Sequence, residues 1–188
     1  MANKFAVLVS GYGRGAIEII KDYRFGLIKP ELSLILSSVS NSKALSFATE
    51  NGIEIGVIEK HKFKTKMDFE NEIISVLSDN EIDYIFLAGW MPIVGSTLLK
   101  KYYNKIINIH PSLLPSFKGL SAIDKAMNYG VKITGITTHY VDNTIDGGKI
   151  IDQVAIRITD EDIFETIDNK IFKAGTILSI ETINKIFI

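Results

Sequence analysis

The chain has no cysteine, and that absence removes disulfides, thiolate metal sites and cysteine nucleophiles together. Histidine is scarce: His61, His110 and His139 are the only three, with no HExxH-type spacing, so no metal is expected. No sign of charge dominates. A formal net charge of -1 gives no electrostatic case for a nucleic-acid partner or an anionic membrane surface. No apolar run approaches the ~20 residues a membrane helix needs, and the run that opens the chain is too short for a signal peptide, so a cytoplasmic location is expected. Repeats, low-complexity stretches and linkers are missing as well. What remains is 188 residues, 46% of them hydrophobic, which predicts a single domain over 1–188 with a proper buried core.

Short apolar runs alternate with helical patterns. Phe5 to Ser10, Leu32 to Ser38, Glu54 to Ile58, Tyr84 to Ala88 and Ile106 to His110 read as strands whose near-continuous apolar content suits a parallel sheet buried on both faces. Helical spacing covers about Ala16 to Tyr23, Ser42 to Asn51, Lys66 to Ser78 and Ser121 to Tyr129. Ile133 to Val141 and Lys149 to Ile158 follow with no convincing helix between them, which predicts an antiparallel addition near the C-terminus. The predicted class is α/β, a Rossmann-like, doubly wound, mostly parallel sheet. A last helix from Glu161 onward is expected to close the core with one apolar stripe, Ile163, Phe164, Ile167, Ile171 and Phe172.

Two segments carry possible chemistry. Lys105 to His110 alternates polar and apolar over most of its length, so Asn108 and His110 share a face, and Pro111 holds His110 extended at the strand end. If the fold returns Asp146 to this place, an amide donor, an imidazole and a carboxylate meet, the ingredients of proton transfer and oxyanion stabilisation. The same residues could equally only satisfy loop backbone groups. After the first strand, Ser10-Gly11-Tyr12-Gly13-Arg14-Gly15-Ala16 satisfies a Gly-x-Gly-x-x-Ala pattern, but the second strand ends without the acidic residue a dinucleotide ribose wants. The loop can hold one phosphate on its amides, or can simply be a tight turn.

Asn108-Ile109-His110-Pro111-Ser112-Leu113-Leu114-Pro115, with Gly119, the run Gly135 to Val141 and Asp146-Gly147-Gly148, resembles the folate-dependent formyltransferases, and within them most closely the branch acting on phosphoribosylglycinamide in purine synthesis. The resemblance spans nearly the whole chain. It implies 10-formyltetrahydrofolate as co-substrate, a phosphorylated amine as acceptor, small-molecule partners only, and a monomer or homodimer. It makes Asn108, His110 and Asp146 catalytic, with His139 behind them. The implied mechanism is direct attack of the amine on the formyl carbon, with Asn108 and a protonated His110 donating to the oxyanion. Asp146 would raise the His110 pKa and help the amine shed its proton, and activity would fall at acid pH as Asp146 protonates and the amine remains an ammonium.

The resemblance further implies acceptor binding by Gly11, Tyr12, Gly13, Arg14, Gly15 and Pro111, and folate binding by Trp90, Met91, Pro92, Ile93, Val94, Val141, Asp142, Asn143 and Asp146. The chain departs from the family at three points. The usual Gly-Asn-Gly-Ser-Asn loop reads Gly11-Tyr12-Gly13-Arg14-Gly15, which loses small polar side chains and gains a cation. Pro92 replaces an Arg and removes an amide donor. A Glu-His pair in the last helix gives way to Phe172 and Lys173. A deformylase-like hydrolase, a transferase acting on another amine and a non-catalytic ligand-binding relative remain alternatives, the last disfavoured by the joint presence of Asn108, His110 and Asp146.

Overall fold

The computed structural model describes residues 3–187. Five parallel strands, β1 (Lys4–Val9), β2 (Glu31–Ser37), β3 (Glu54–Val57), β4 (Tyr84–Leu87) and β5 (Ile106–His110), are joined to β6 (Ile133–Tyr140), antiparallel to β5, and β7 (Ile150–Arg157), antiparallel to β6, in the order β3-β2-β1-β4-β5-β6-β7. The helices are α1 (Arg14–Arg24), α2 (Lys43–Glu50), α3 (Lys66–Asp79), α4 (Ser96–Lys101), α5 (Ala122–Tyr129) and α6 (Phe164–Ile186). Strand alternation explains the layering. Phe5, Val7 and Val9 of β1 face a core shared with α1, α2 and the end of α6, whereas Ala6 and Leu8 face a second core with α3 and α4. Both sides of the central sheet are therefore dry, as its apolar runs predict. A smaller cluster joins Ile123 of α5 and Ile136 of β6 to Ile167, Ile171 and Leu178 of α6. No helix among the described residues is long and apolar enough to cross a membrane.

Element boundaries fall within two residues of those read from the pattern, except at the start of α6. Three expectations need correction. β3 is not buried on both faces: it is the sheet edge, its partner is β2 alone, and Ile55 and Val57 stay exposed. α4 and a single 3-10 turn at Lys60–Lys62 went unread, because segments of six and three residues hold too few turns for a period to show. In α6 the apolar stripe is displaced. Ile163 and Phe164 are exposed at its start and Phe172 is only half-buried, whereas the buried face runs Ile167, Ile171, Gly175, Leu178, Ser179, Thr182 and Ile183. Small residues take that face because α6 lies close on β6: a Cβ at Gly175 would come within 2.7 Å of Ile136.

Strand order reverses between β1 and β4, so their carboxyl ends diverge into a crevice, the place where open α/β sheets receive ligands. Ser10 and Gly89 are held across it by an amide-to-carbonyl bond of 3.0 Å, and Ser10 Oγ accepts from the Met91 amide at 3.0 Å.

Candidate active site

β5 and β6 pair with Asn108 opposite His139 and His110 opposite Thr137, so the antiparallel register sets Asn108 and His139 side by side on one face. The His139 Nδ1 hydrogen goes to the Tyr140 carbonyl at 2.9 Å, which leaves Nε2 to accept from Asn108 Nδ2 at 3.1 Å. His110 donates its Nε2 hydrogen to the Phe117 carbonyl at 3.0 Å. Both imidazoles are thereby fixed in tautomer and orientation, and both are buried.

The fold does return Asp146 to this pair. β6 ends at Tyr140, and the chain doubles back against it, so that a Cβ at Gly148 would collide with the Tyr140 carbonyl. Asp142 turns the loop by accepting from the Thr144 amide at 2.8 Å and hydroxyl at 2.6 Å, which holds its carboxyl below the usual range. Asp146, in a left-handed conformation with φ 46°, then reaches the strand face. Its Oδ1 lies 3.6 Å from His139 Nε2 and 3.4 Å from Asn108 Nδ2, while Oδ2 accepts from the Gly119 amide at 2.8 Å and stands 3.4 Å from His110 Nδ1. When they carry a second proton, His139 and His110 join the Gly119 amide in pulling its pKa to about 2 against the opposing cost of burial.

Electrostatics revise two expectations. Burial pushes the His110 pKa down; Phe117 and Asp146 pull it up, but by less, so the ligand-free site holds a neutral imidazole at pH 7. Its one hydrogen is committed to Phe117, which leaves Nδ1 as an acceptor facing Asp146 and the cavity. A carboxyl at about 2 also stays ionised throughout pH 5 to 8, so protonation of Asp146 cannot account for loss of activity in that range.

Two cavities open at the strand ends. The larger, about 600 Å³ and mostly apolar, is lined by Asn108, His110, Pro111, His139 and Asp146. Trp90, Met91, Pro92, Ile93 and Val94 form one wall, and Val141, Asp142 and Asn143 another. Pro111 thus lies with the expected folate group rather than with the glycine loop. Trp90 is 8% exposed and stacks on Phe69 at 6.2 Å, so the same ring serves core and cavity. Sequence reasoning missed Leu120 and Ile145 on the rim, 73% and 59% exposed; two bare apolar side chains in polar, glycine-bearing loops were the available signal.

The smaller cavity, about 270 Å³, lies at the β1–β4 crevice and shares Gly89, Met91 and Ile109 with the first. Gly13, Arg14 and Gly15 line it; Gly11 and Tyr12 do not, and Tyr12 is exposed. Gly13 has φ +81° and a Cβ there would come within 2.7 Å of Ala44, so only glycine fits. No hydrogen bond among the described residues uses the amides of Tyr12 through Ala16, which fan out at the start of α1. Arg14 is not left facing the cavity alone. Its Nη1 and Nη2 donate to Asp168 at 2.6 and 2.5 Å, and its guanidinium lies 4.5 Å over the Phe172 ring.

Residues 3–183 match the family model described as formyl transferase. The chain is 41% identical over 170 residues, 90% of its length and 87% of the relative's, to the phosphoribosylglycinamide formyltransferase of Bacillus subtilis. Two crystal structures superpose closely: glycinamide ribonucleotide transformylase 1 from Geobacillus kaustophilus, at a TM-score of 0.96 and 33% identity over 100% of each chain, and phosphoribosylglycinamide formyltransferase from Bacillus halodurans, at 0.94 and 37%, covering 97% of this chain and 94% of that one.

Proposed function

The chain belongs to the formyl transferase family, and we propose that it carries a formyl group from 10-formyltetrahydrofolate to the amine of phosphoribosylglycinamide in purine biosynthesis. The observation that carries this reading is the convergence of Asn108, His110, His139 and Asp146 beside the junction of two cavities. The larger has the size and apolar lining of a site for a flat heterocycle, and the smaller has free amides and a cation, as a phosphorylated acceptor requires. The folate supplies an activated formyl carbon; the chain's residues manage the charge and the proton.

As the acceptor nitrogen bonds to that carbon, negative charge grows on the formyl oxygen and the nitrogen carries a surplus proton. Asn108 is the nearest amide donor for the oxygen, released from its long 3.4 Å contact with Asp146. Neutral His110 accepts the proton at Nδ1, directly or through water, and the cation so formed is held by Asp146 Oδ2 on one side and the Phe117 carbonyl on the other. As the tetrahedral species collapses, the bond from the formyl carbon to the folate nitrogen breaks and His110 returns the proton to that nitrogen, directly or through water, so that tetrahydrofolate leaves. His139 orients Asn108. Ser112 takes no part as a nucleophile, since it is fully buried and donates to the Ser116 carbonyl at 2.6 Å.

The test is to incubate the protein with 10-formyltetrahydrofolate, with and without phosphoribosylglycinamide, and follow both the formyl group and the free folate. Loss of formyl only with the acceptor is expected. Equal loss without acceptor would identify a hydrolase, and no loss in either arm a binding module.

A further inference from the structure

Arg14 is the only cation lining the smaller cavity among the described residues, and its two terminal nitrogens are both committed to Asp168. The pair bridges the first turn of α1 to α6, with Phe172, one turn beyond Asp168, as the shelf beneath the guanidinium. The other ionised group lining the cavity, Glu18, is itself paired with Lys21 at 2.7 Å. The cavity therefore presents two features suited to an anion, the amides of Gly13, Arg14 and Gly15, unpaired among the described residues, and the Arg14 charge, of which the second is already neutralised.

Resting on the acceptor proposed above, we infer that Asp168 is a specificity-determining residue: it occupies Arg14 in place of the acceptor's phosphate, so that phosphate affinity is set by competition with this carboxylate. A carboxylate gripping a guanidinium by a fork of two charge-assisted bonds is the same kind of partner a phosphate is, and both cannot hold the same two nitrogens. A phosphate that binds the amides and leaves the pair intact would instead lie beside the Asp168 charge, which opposes it. Either way the carboxylate lowers the advantage that a phosphorylated acceptor has over an unphosphorylated one.

The experiment measures equilibrium binding of phosphoribosylglycinamide, its dephosphorylated riboside and inorganic phosphate to wild type, Asp168→Asn, Arg14→Ala and the double variant. Asp168→Asn is expected to bind the phosphorylated acceptor and inorganic phosphate about 2- to 5-fold more tightly, the range of a partly exposed ion pair, and to leave the riboside unchanged. In the Arg14→Ala background, where no guanidinium is left to release, the same substitution should give a smaller gain, from relief of repulsion alone, and a gain as large as in wild type overturns competition for Arg14. A merely structural tie between α1 and α6 would shift all three ligands together. Unchanged or weaker phosphate binding in Asp168→Asn overturns the inference. Because inorganic phosphate is read without turnover, a gain there in a protein that fails the formyl-transfer assay would uphold the role of Asp168 while rejecting the proposed reaction.

Discussion

His110 is where the site's chemistry is most exposed to test, because burial and Asp146 act on it in opposite directions. Replacing Asp146 by Asn removes the pull upward and leaves the burial penalty, so the His110 pKa, followed by NMR of its ring protons, should fall further below that of wild type. A rise would mean that the two side chains are not coupled as the geometry implies. Transfer should need His110 neutral: kcat/KM is expected to be flat at neutral pH and to decline only as pH falls through the lowered His110 pKa. A decline centred above the ordinary histidine range would remove His110 from the proton's path. The loop glycines divide in the same residue-level way. Gly13→Ala meets Ala44 and carries a positive φ, so it should cost at least about 1 kcal/mol in denaturant titrations. Gly15→Ala meets nothing nearer than Ala88 at 3.6 Å and should fold as wild type does, while its methyl narrows the smaller cavity and raises the KM for the acceptor.

Among the elements, α4 shows how a feature that no period reveals can still position the site. Glu70, 2% exposed on α3, accepts hydrogen bonds from the amides of Gly95 and, at 3.1 Å, Leu98, so a buried carboxylate caps the six-residue helix that follows the Trp90 to Val94 wall. Glu70→Gln has one oxygen for two amides and should lose about 1–3 kcal/mol in urea unfolding, with a higher KM for the folate. An unchanged midpoint would mean that α4 needs no cap. Nothing in the sequence marks Glu70, because a glutamate amid Phe69, Ile73 and Leu77 reads as a solvated position on an amphipathic helix until its partner is known. The strands were legible for the converse reason. β1, β4 and β5 lie inside the sheet, and burial on both faces writes itself as continuous apolar runs, whereas edge strand β3 carries the same run without the burial. Asn108 and His110 were legible as a pair through the two-residue period, but the Arg14–Asp168 pair was not, since 154 residues separate its members and no local rule connects them.

At the scale of the whole molecule, Asp146 ties three separate stretches of chain: the strand face of β5 and β6, the turn at Phe117 to Gly119, and the loop that bears it. Its carboxyl titrates at about 2 in the fold against about 3.9 in an unfolded chain. The folded value is the lower, so the carboxylate contributes stability that is fully present above pH ~4 and lost as pH falls through ~2. The side chain is 13% exposed, and the shift corresponds to about 2–3 kcal/mol. For a chain of this length that is a melting-temperature difference of roughly 4–12 °C between wild type and Asp146→Asn at neutral pH. His110 acts in a different window: buried neutral, it makes acid destabilising from about pH 6.5 downward, in both proteins. Thermal unfolding of the two proteins from pH 7 to pH 2 separates the contributions. The difference between them should persist to about pH 4 and narrow below it, while both melting temperatures already decline from pH 6.5. A difference that closed between pH 7 and 5 would place the Asp146 pKa far above 2, and would return the acid loss of activity to that carboxylate.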